Sequence, residues 1–270
     1  MSFLKKILIT GASSGIGEAA AYAFSNLGWE LFLVARRRDR LDEVASECDR
    51  RGAARTVCKE TDLSVSGAGA TIVGNCLEAL DGLEVTLCNA GYGIMGPVAE
   101  VPPVDMSRIW QVNFQSAYET IHAALPHLLG QKRGHIVMVS SVLGKKAMPF
   151  SAAYSVTKFA QVALGESLWG ELRGSGVGVS VICPGYTATE FHQAAKRTES
   201  IAKLSRPFQG QSSEHVAEVI VEAVLRGKRE VHLTFPGRLI CGIERLSPGL
   251  STWIMARVGA KQKKRSESGS

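Results

Sequence analysis

Hydrophobic positions along the chain fall into short, nearly continuous apolar runs separated by longer stretches in which apolar residues recur every three or four positions. The short runs Ile-Leu-Ile, Leu-Phe-Leu-Val, Val-Thr-Leu, Ile-Val-Met-Val and Val-Ser-Val-Ile carry almost no alternation, the pattern of strands covered on both faces. The pattern predicts strands at 5–10, 30–35, 54–61, 85–89, 135–140, 177–184 and 230–233. Helices fill the intervals 15–27, 38–51, 67–80, 104–129, 152–173 and 213–226. Strand and helix in regular alternation imply βαβ units and one α/β domain built on a doubly wound parallel sheet of about seven strands.

Two segments break the rhythm. Residues 186–212 form a connection too long for an ordinary loop and are expected to act as a substrate lid within a domain spanning 1–236. Residues 237–258 are rich in Ile, Leu and Trp and form an apolar extension; 259–270 read as a basic flexible tail. The extension suits three uses: covering a pocket, padding a subunit interface, or lying on a membrane surface, the last being the least favoured.

Composition narrows the class. With 270 residues, 45% hydrophobic and 21% charged, the chain can bury a large core and is neither a disordered tail nor a disulfide miniprotein. Its six cysteines include no Cys-x-x-Cys pair and several sit in apolar runs, so they read as reduced thiols of a cytoplasmic protein. The formal net charge is +6. The surplus concentrates between Arg36 and Arg40 and after residue 256, leaving a nearly neutral body that argues against a nucleic-acid partner. The histidines have no paired spacing with Cys or acids, so no metal site is expected.

The first strand runs straight into Thr10-Gly11-Ala12-Ser13-Ser14-Gly15-Ile16-Gly17 and then a helix. Such a turn lets backbone N–H groups and a helix N-terminus approach a phosphate. Further along the chain, Tyr154 and Lys158 share one face of a predicted helix, thirteen and seventeen residues after Ser141.

Taken in order, Gly11-x-x-x-Gly15-x-Gly17, Asn89-Ala90-Gly91, Asn113, Ser141, Tyr154-x-x-x-Lys158 and Pro184-Gly185 resemble the short-chain dehydrogenase/reductase family over residues 5 to 235. The resemblance implies a Rossmann-like fold and an oxidoreductase acting on a carbonyl/alcohol pair. Tyr154 would be the acid/base, Ser141 would orient the carbonyl oxygen, and Lys158 would hold the nicotinamide ribose and lower the Tyr154 pKa. Asn113 would kink its helix and hold a water in a proton relay to the lysine. Ser140 competes with Ser141 for the catalytic role, the thirteen-residue interval favouring Ser141.

For the cofactor, Gly11, Ser13, Ser14, Gly15, Ile16 and Gly17 would cradle the pyrophosphate. Ala35 stands where NAD-preferring members carry an acid, and Arg36 follows it, which favours NADP(H). Ser13 could add a hydroxyl contact to the same phosphate. Asp62 is either a contact to adenine, with Leu63 against the ring, or a helix cap. Asn89, Ala90 and Gly91 are as much structural as ligand-binding. Thr189 and Thr187 would hold the carboxamide.

Leu143 and Tyr186 join Ser141 and Tyr154 in the expected substrate site, where Tyr92, Ile94, Met95, Met148, Phe150, Phe191 and Phe208 make the surroundings apolar. A lipophilic small-molecule substrate fits that lining. By the same resemblance the protein is expected to be a homodimer or homotetramer. The rival reading is a non-catalytic NADP(H) sensor or scaffold on the same fold.

Overall fold

The computed structural model describes residues 5–187, 190–191, 195–201 and 210–267; the side chains of Phe235 and 261–267 are outside the description. Seven parallel strands form the main sheet: β1 (Lys6–Thr10), β2 (Glu30–Ala35), β3 (Arg55–Glu60), β4 (Val85–Cys88), β6 (Gly134–Val139), β7 (Val177–Cys183) and β9 (Glu230–His232). Their order is β3-β2-β1-β4-β6-β7-β9. The direction of winding reverses between β1 and β4, so the crevice beyond the carboxyl ends of these strands is where a ligand fits.

β4 and β6 are buried at every position, which is why their sequences are apolar without alternation. One face of the sheet is covered by α1 (Gly15–Ser25), α2 (Arg38–Arg50) and α7 (Ser213–Arg226), with Phe24, Leu41 and Ile220 fully buried. The other face is covered by α3 (Ala68–Leu80), α5 (Ser116–Gly130) and α6 (Ala152–Glu171), with Ile72, Ala124 and Leu128 fully buried. Phe24 meets Trp29 with ring centroids 4.7 Å apart. A buried aromatic of this kind is worth about 3–5 kcal/mol when cut to Ala.

The continuous helix expected over 104–129 is three pieces. α4 (Pro103–Trp110) passes into a π-helical turn, Gln111–Gln115, before α5 resumes the regular period. The wide turn is centred on Asn113, whose amide leaves the helix pattern to bond a neighbouring loop. A π turn inside a helix frequently marks a functional site.

The described parts of the 186–212 connection are ordered against the body. β8 (Lys196–Arg197) pairs in parallel with β5 (Ile94–Met95), and Thr187 bridges Gln211. After β9 the chain forms α8 (Phe235–Leu246) and α9 (Pro248–Glu267). The helix α9 continues through the basic segment to Glu267. No helix among the described residues is long and apolar enough to cross a membrane. Gly237 packs on Val142 and Thr234, Gly259 packs on Pro149, and Lys146 bonds Thr252 at 2.9 Å and Glu244 at 2.7 Å. These contacts lay the extension against the loop 142–150.

Candidate active site

The glycine-rich turn is shaped by close backbone approach. Gly11 has φ +68°, and a Cβ there would meet Ala90 Cα at 2.9 Å. A Cβ on Gly17 would run into the Gly11 carbonyl and the Asn89 amide, so α1 can start beside β1 only with glycine at this position. Asn89 Nδ2 donates to the carbonyls of Thr10 (3.0 Å) and Gly11 (3.2 Å), and Thr10 Oγ1 accepts from the N–H groups of Asn89 (3.0 Å) and Ala90 (3.1 Å). Asn89 is therefore a tie between β4 and the turn. Ser14 caps α1 in extended conformation without a side-chain hydrogen bond. The first-turn N–H groups thus keep no cap from Ser14, and with the local helix dipole they suit an anion such as a dinucleotide pyrophosphate.

At the end of β2 the structure redistributes the arginine roles. Arg36 is exposed and makes no hydrogen bond or ion pair among the described residues; its charge helps hold Asp62 below its ordinary value, after the stronger effect of the Ser64 N–H. Asp62 Oδ1 accepts from that N–H at 2.9 Å, closing a local turn, and α3 begins only at Ala68. Leu63 is buried. Arg37 reaches Ser13 O and Oγ at 3.4 Å and pairs with Glu190 at 3.1 Å. Sequence reasoning missed Arg37 because no local signal separates it from Arg38 and Arg40. Those two bond Asp42 and Glu43 on their own helix.

Ser141, Tyr154 and Lys158, the residues expected to react, lie close together where β6 and β7 end. Ser140 and Ser141 divide cleanly: Ser140 Oγ donates to the Lys158 carbonyl at 2.9 Å, fixing α6 to β6, whereas Ser141 Oγ faces the Tyr154 phenol. Ser141 also accepts from the Leu143 N–H at 3.1 Å, capping the short 3-10 turn Val142–Gly144. Lys158 Nζ is 5.6 Å from the Tyr154 ring centroid and the lysine is 3% exposed. Burial pushes the lysine down to about 7 and the tyrosine up from its ordinary value, with Ser141 pulling the phenol back down.

Asn113 is fully buried, accepts from the Tyr92 N–H at 2.9 Å, and donates to Tyr92 O at 3.0 Å and Thr157 Oγ1 at 3.1 Å. Its carbonyl accepts from Gln161 Nε2 at 2.7 Å. Gly91 lies against Asn113 and Lys158. Pro184 and Thr187 are buried, Gly185 packs on Thr234, and Tyr186 and Leu143 are partly exposed. Phe191 stacks obliquely on Tyr154, centroids 5.5 Å apart. Thr189 and Phe208 lie outside the described residues.

A glycine-turn crevice at the switch point, with a Ser/Tyr/Lys cluster at the neighbouring strand ends, defines a nucleotide-binding oxidoreductase. The family model "short chain dehydrogenase" matches residues 5–200. Dehydrogenase/reductase SDR family member 7B of Rattus norvegicus is 32% identical over 268 residues, 96% of this chain and 82% of that one. Among solved structures, a short-chain dehydrogenase/reductase from Burkholderia phymatum in complex with NAD superposes with TM-score 0.78 at 27% identity, covering 91% of this chain and 96% of that one. A metagenomic short-chain oxidoreductase in complex with NADP gives TM-score 0.72 at 29% identity, covering 85% and 96%. The chain belongs to the short-chain dehydrogenase/reductase family.

Proposed function

We propose that the protein is an NADP(H)-dependent oxidoreductase that interconverts a carbonyl and a secondary alcohol on a lipophilic small molecule. The observation that carries this reading is the convergence of Ser141, Tyr154 and Lys158 beside the glycine-rich turn. The cofactor supplies or accepts a hydride when bound. In reduction, Tyr154 Oη donates its proton to the substrate oxygen while Ser141 Oγ donates a hydrogen bond to that oxygen and stabilises its developing charge. In oxidation the phenolate takes the hydroxyl proton. The charged Lys158 favours the phenolate electrostatically and offers an N–H to the nicotinamide ribose.

Arg36 supports NADP(H) over NAD(H): its guanidinium is exposed at the end of β2 and has no partner among the described residues, so it is available to a 2′-phosphate. Arg37, beside Ser13, adds positive charge at the same corner once it leaves Glu190. Leu143, Met148, Phe150, Tyr186 and Phe191, all partly buried, are the residues we assign to an apolar substrate site, and Phe191 packs on Tyr154. The exposed Tyr118 and Leu129 of α5 and Val156, Phe159 and Trp169 of α6 support a homodimer or homotetramer through these helices.

The test is a panel of apolar aldehydes and ketones assayed with NADPH and NADH. Turnover with NADPH preferred is the expected result. Tight NADPH binding with no turnover on any carbonyl would instead favour a sensor.

A further inference from the structure

The lysine at the centre of the site has an unusual neighbour one helical turn on. Lys158 Nζ donates to Val139 O at 2.8 Å and to Gln161 Oε1 at 3.0 Å. The other end of the same amide, Gln161 Nε2, donates to the Asn113 carbonyl at 2.7 Å. Gln161 is 1% exposed and Asn113 0%, so no bulk water reaches this link. The amide has one chemically sensible orientation: an ammonium can only donate, and a backbone carbonyl can only accept. The π turn centred on Asn113 lies directly across from this amide.

We infer that Gln161 is a positioning residue that takes the place of a relay water between Asn113 and Lys158. Its carbonyl holds the ammonium charged and aimed at the reacting end, and its N–H₂ closes the Asn113 route to protons. A water in that place could pass a proton by exchanging its donor and acceptor roles; an amide anchored at both ends cannot. The proton that Tyr154 gives up is therefore replenished from the cofactor and solvent side of Lys158. The inference rests on the functional reading above for its catalytic meaning, but the Lys158–Gln161–Asn113 link stands on geometry alone.

The titratable groups facing Lys158 are few. Tyr154 lies on its own helix, and Cys183 approaches from β7; β6 presents the Val139 carbonyl, and the π turn presents the neutral Asn113. Loss of the Gln161 carbonyl is thus not masked by a nearby carboxylate among these groups.

Three variants test the role. Gln161→Met keeps the length and removes both polar ends; Gln161→Leu does the same should the thioether variant fail to fold. Gln161→Ala opens a space lined by the Lys158 ammonium and the Asn113 carbonyl, polar enough to take up a water. The first readout needs no cofactor: the Lys158 titration followed by NMR of protein labelled at lysine Cε, with Lys158→Arg assigning the resonance. The midpoint is expected to fall by about one pH unit in the apolar variants, the size of one lost charge-assisted hydrogen bond, and to return toward wild type in Gln161→Ala.

The second readout is the pH profile of alcohol oxidation. Its acid limb is expected to move up in the apolar variants, with Gln161→Ala more active than either. A wild-type Lys158 midpoint in the apolar variants overturns the inference, as does an alanine variant worse than methionine, the order that simple cavity creation produces. Absence of turnover in the wild-type protein would defeat the oxidoreductase reading while leaving the lysine titration free to decide the Gln161 link.

Discussion

The two ends of the crevice are built by different means. At the cofactor end, Gly11, Gly17 and Asn89 bring β1, α1 and β4 so close that backbone atoms touch, and β1, β2 and β4 are buried beyond the first residues of β1 and β2. At the substrate end, ion pairs between side chains add to the backbone pairing of β5 with β8: Lys146 to Glu244, Lys196 to Asp105, Lys145 to Glu230 and Glu166. The first end cannot move without losing the fold. The second can be rebuilt by changing charges and apolar contacts, which is how one scaffold serves many substrates.

The largest effect should come from violating the rigid end. In Gly17→Ala the new methyl meets the Gly11 carbonyl and Asn89 amide, so we expect about 1–3 kcal/mol of destabilisation and loss of detectable dinucleotide binding by calorimetry. An alanine variant that binds the cofactor normally would show that the turn is more yielding than its geometry implies. Next in size is Arg36→Ala. NADPH affinity should fall roughly ten- to a hundredfold while NADH is little changed, since one charge-assisted contact contributes about 1.5–3 kcal/mol. Equal losses for both cofactors would move the phosphate contact to Arg37.

The substrate end should respond to pH where the cofactor end does not. Cys241 and Glu230 raise the His232 imidazolium to about 9, and His232 and Lys145 lower Glu230 to about 2. A raised histidine stabilises the fold fully below its ordinary 6.5 and loses that contribution as pH rises through 9. The lowered carboxylate contributes above 4.5 and loses its share as pH falls through 2. Hydrogen exchange in α8 should therefore quicken between pH 6.5 and 9, after correction for intrinsic exchange, and the change should vanish in His232→Gln. Unchanged protection would mean that packing alone holds α8 in place.

The same contrast decides what was legible in the sequence. Apolar runs, the glycine spacing and the Ser141/Tyr154/Lys158 intervals are local in sequence, and they pointed to the sheet, the turn and the proximity of Ser141, Tyr154 and Lys158. Contacts made across the fold were not legible. Arg37 differs from its neighbours only because Glu190, more than a hundred residues away, comes to lie beside it. Gln161 looks like any polar helix residue until the π turn brings the Asn113 carbonyl to its amide. The small β5–β8 sheet joins two-residue strands, too short for a periodic signal. The continuous helix expected over 104–129 is interrupted because Asn113 bonds the Tyr92 backbone, a partner that no helical period encodes.

The central claim is that Tyr154 moves the proton. Steady-state reduction of a carbonyl substrate by NADPH, compared between wild type and Tyr154→Phe, tests it most directly. Loss of the hydroxyl should lower kcat by about 10²–10⁴-fold, with NADPH affinity and melting temperature close to wild type. A phenylalanine variant that keeps its kcat while binding NADPH normally would contradict the account and send the search for the proton donor elsewhere in the site.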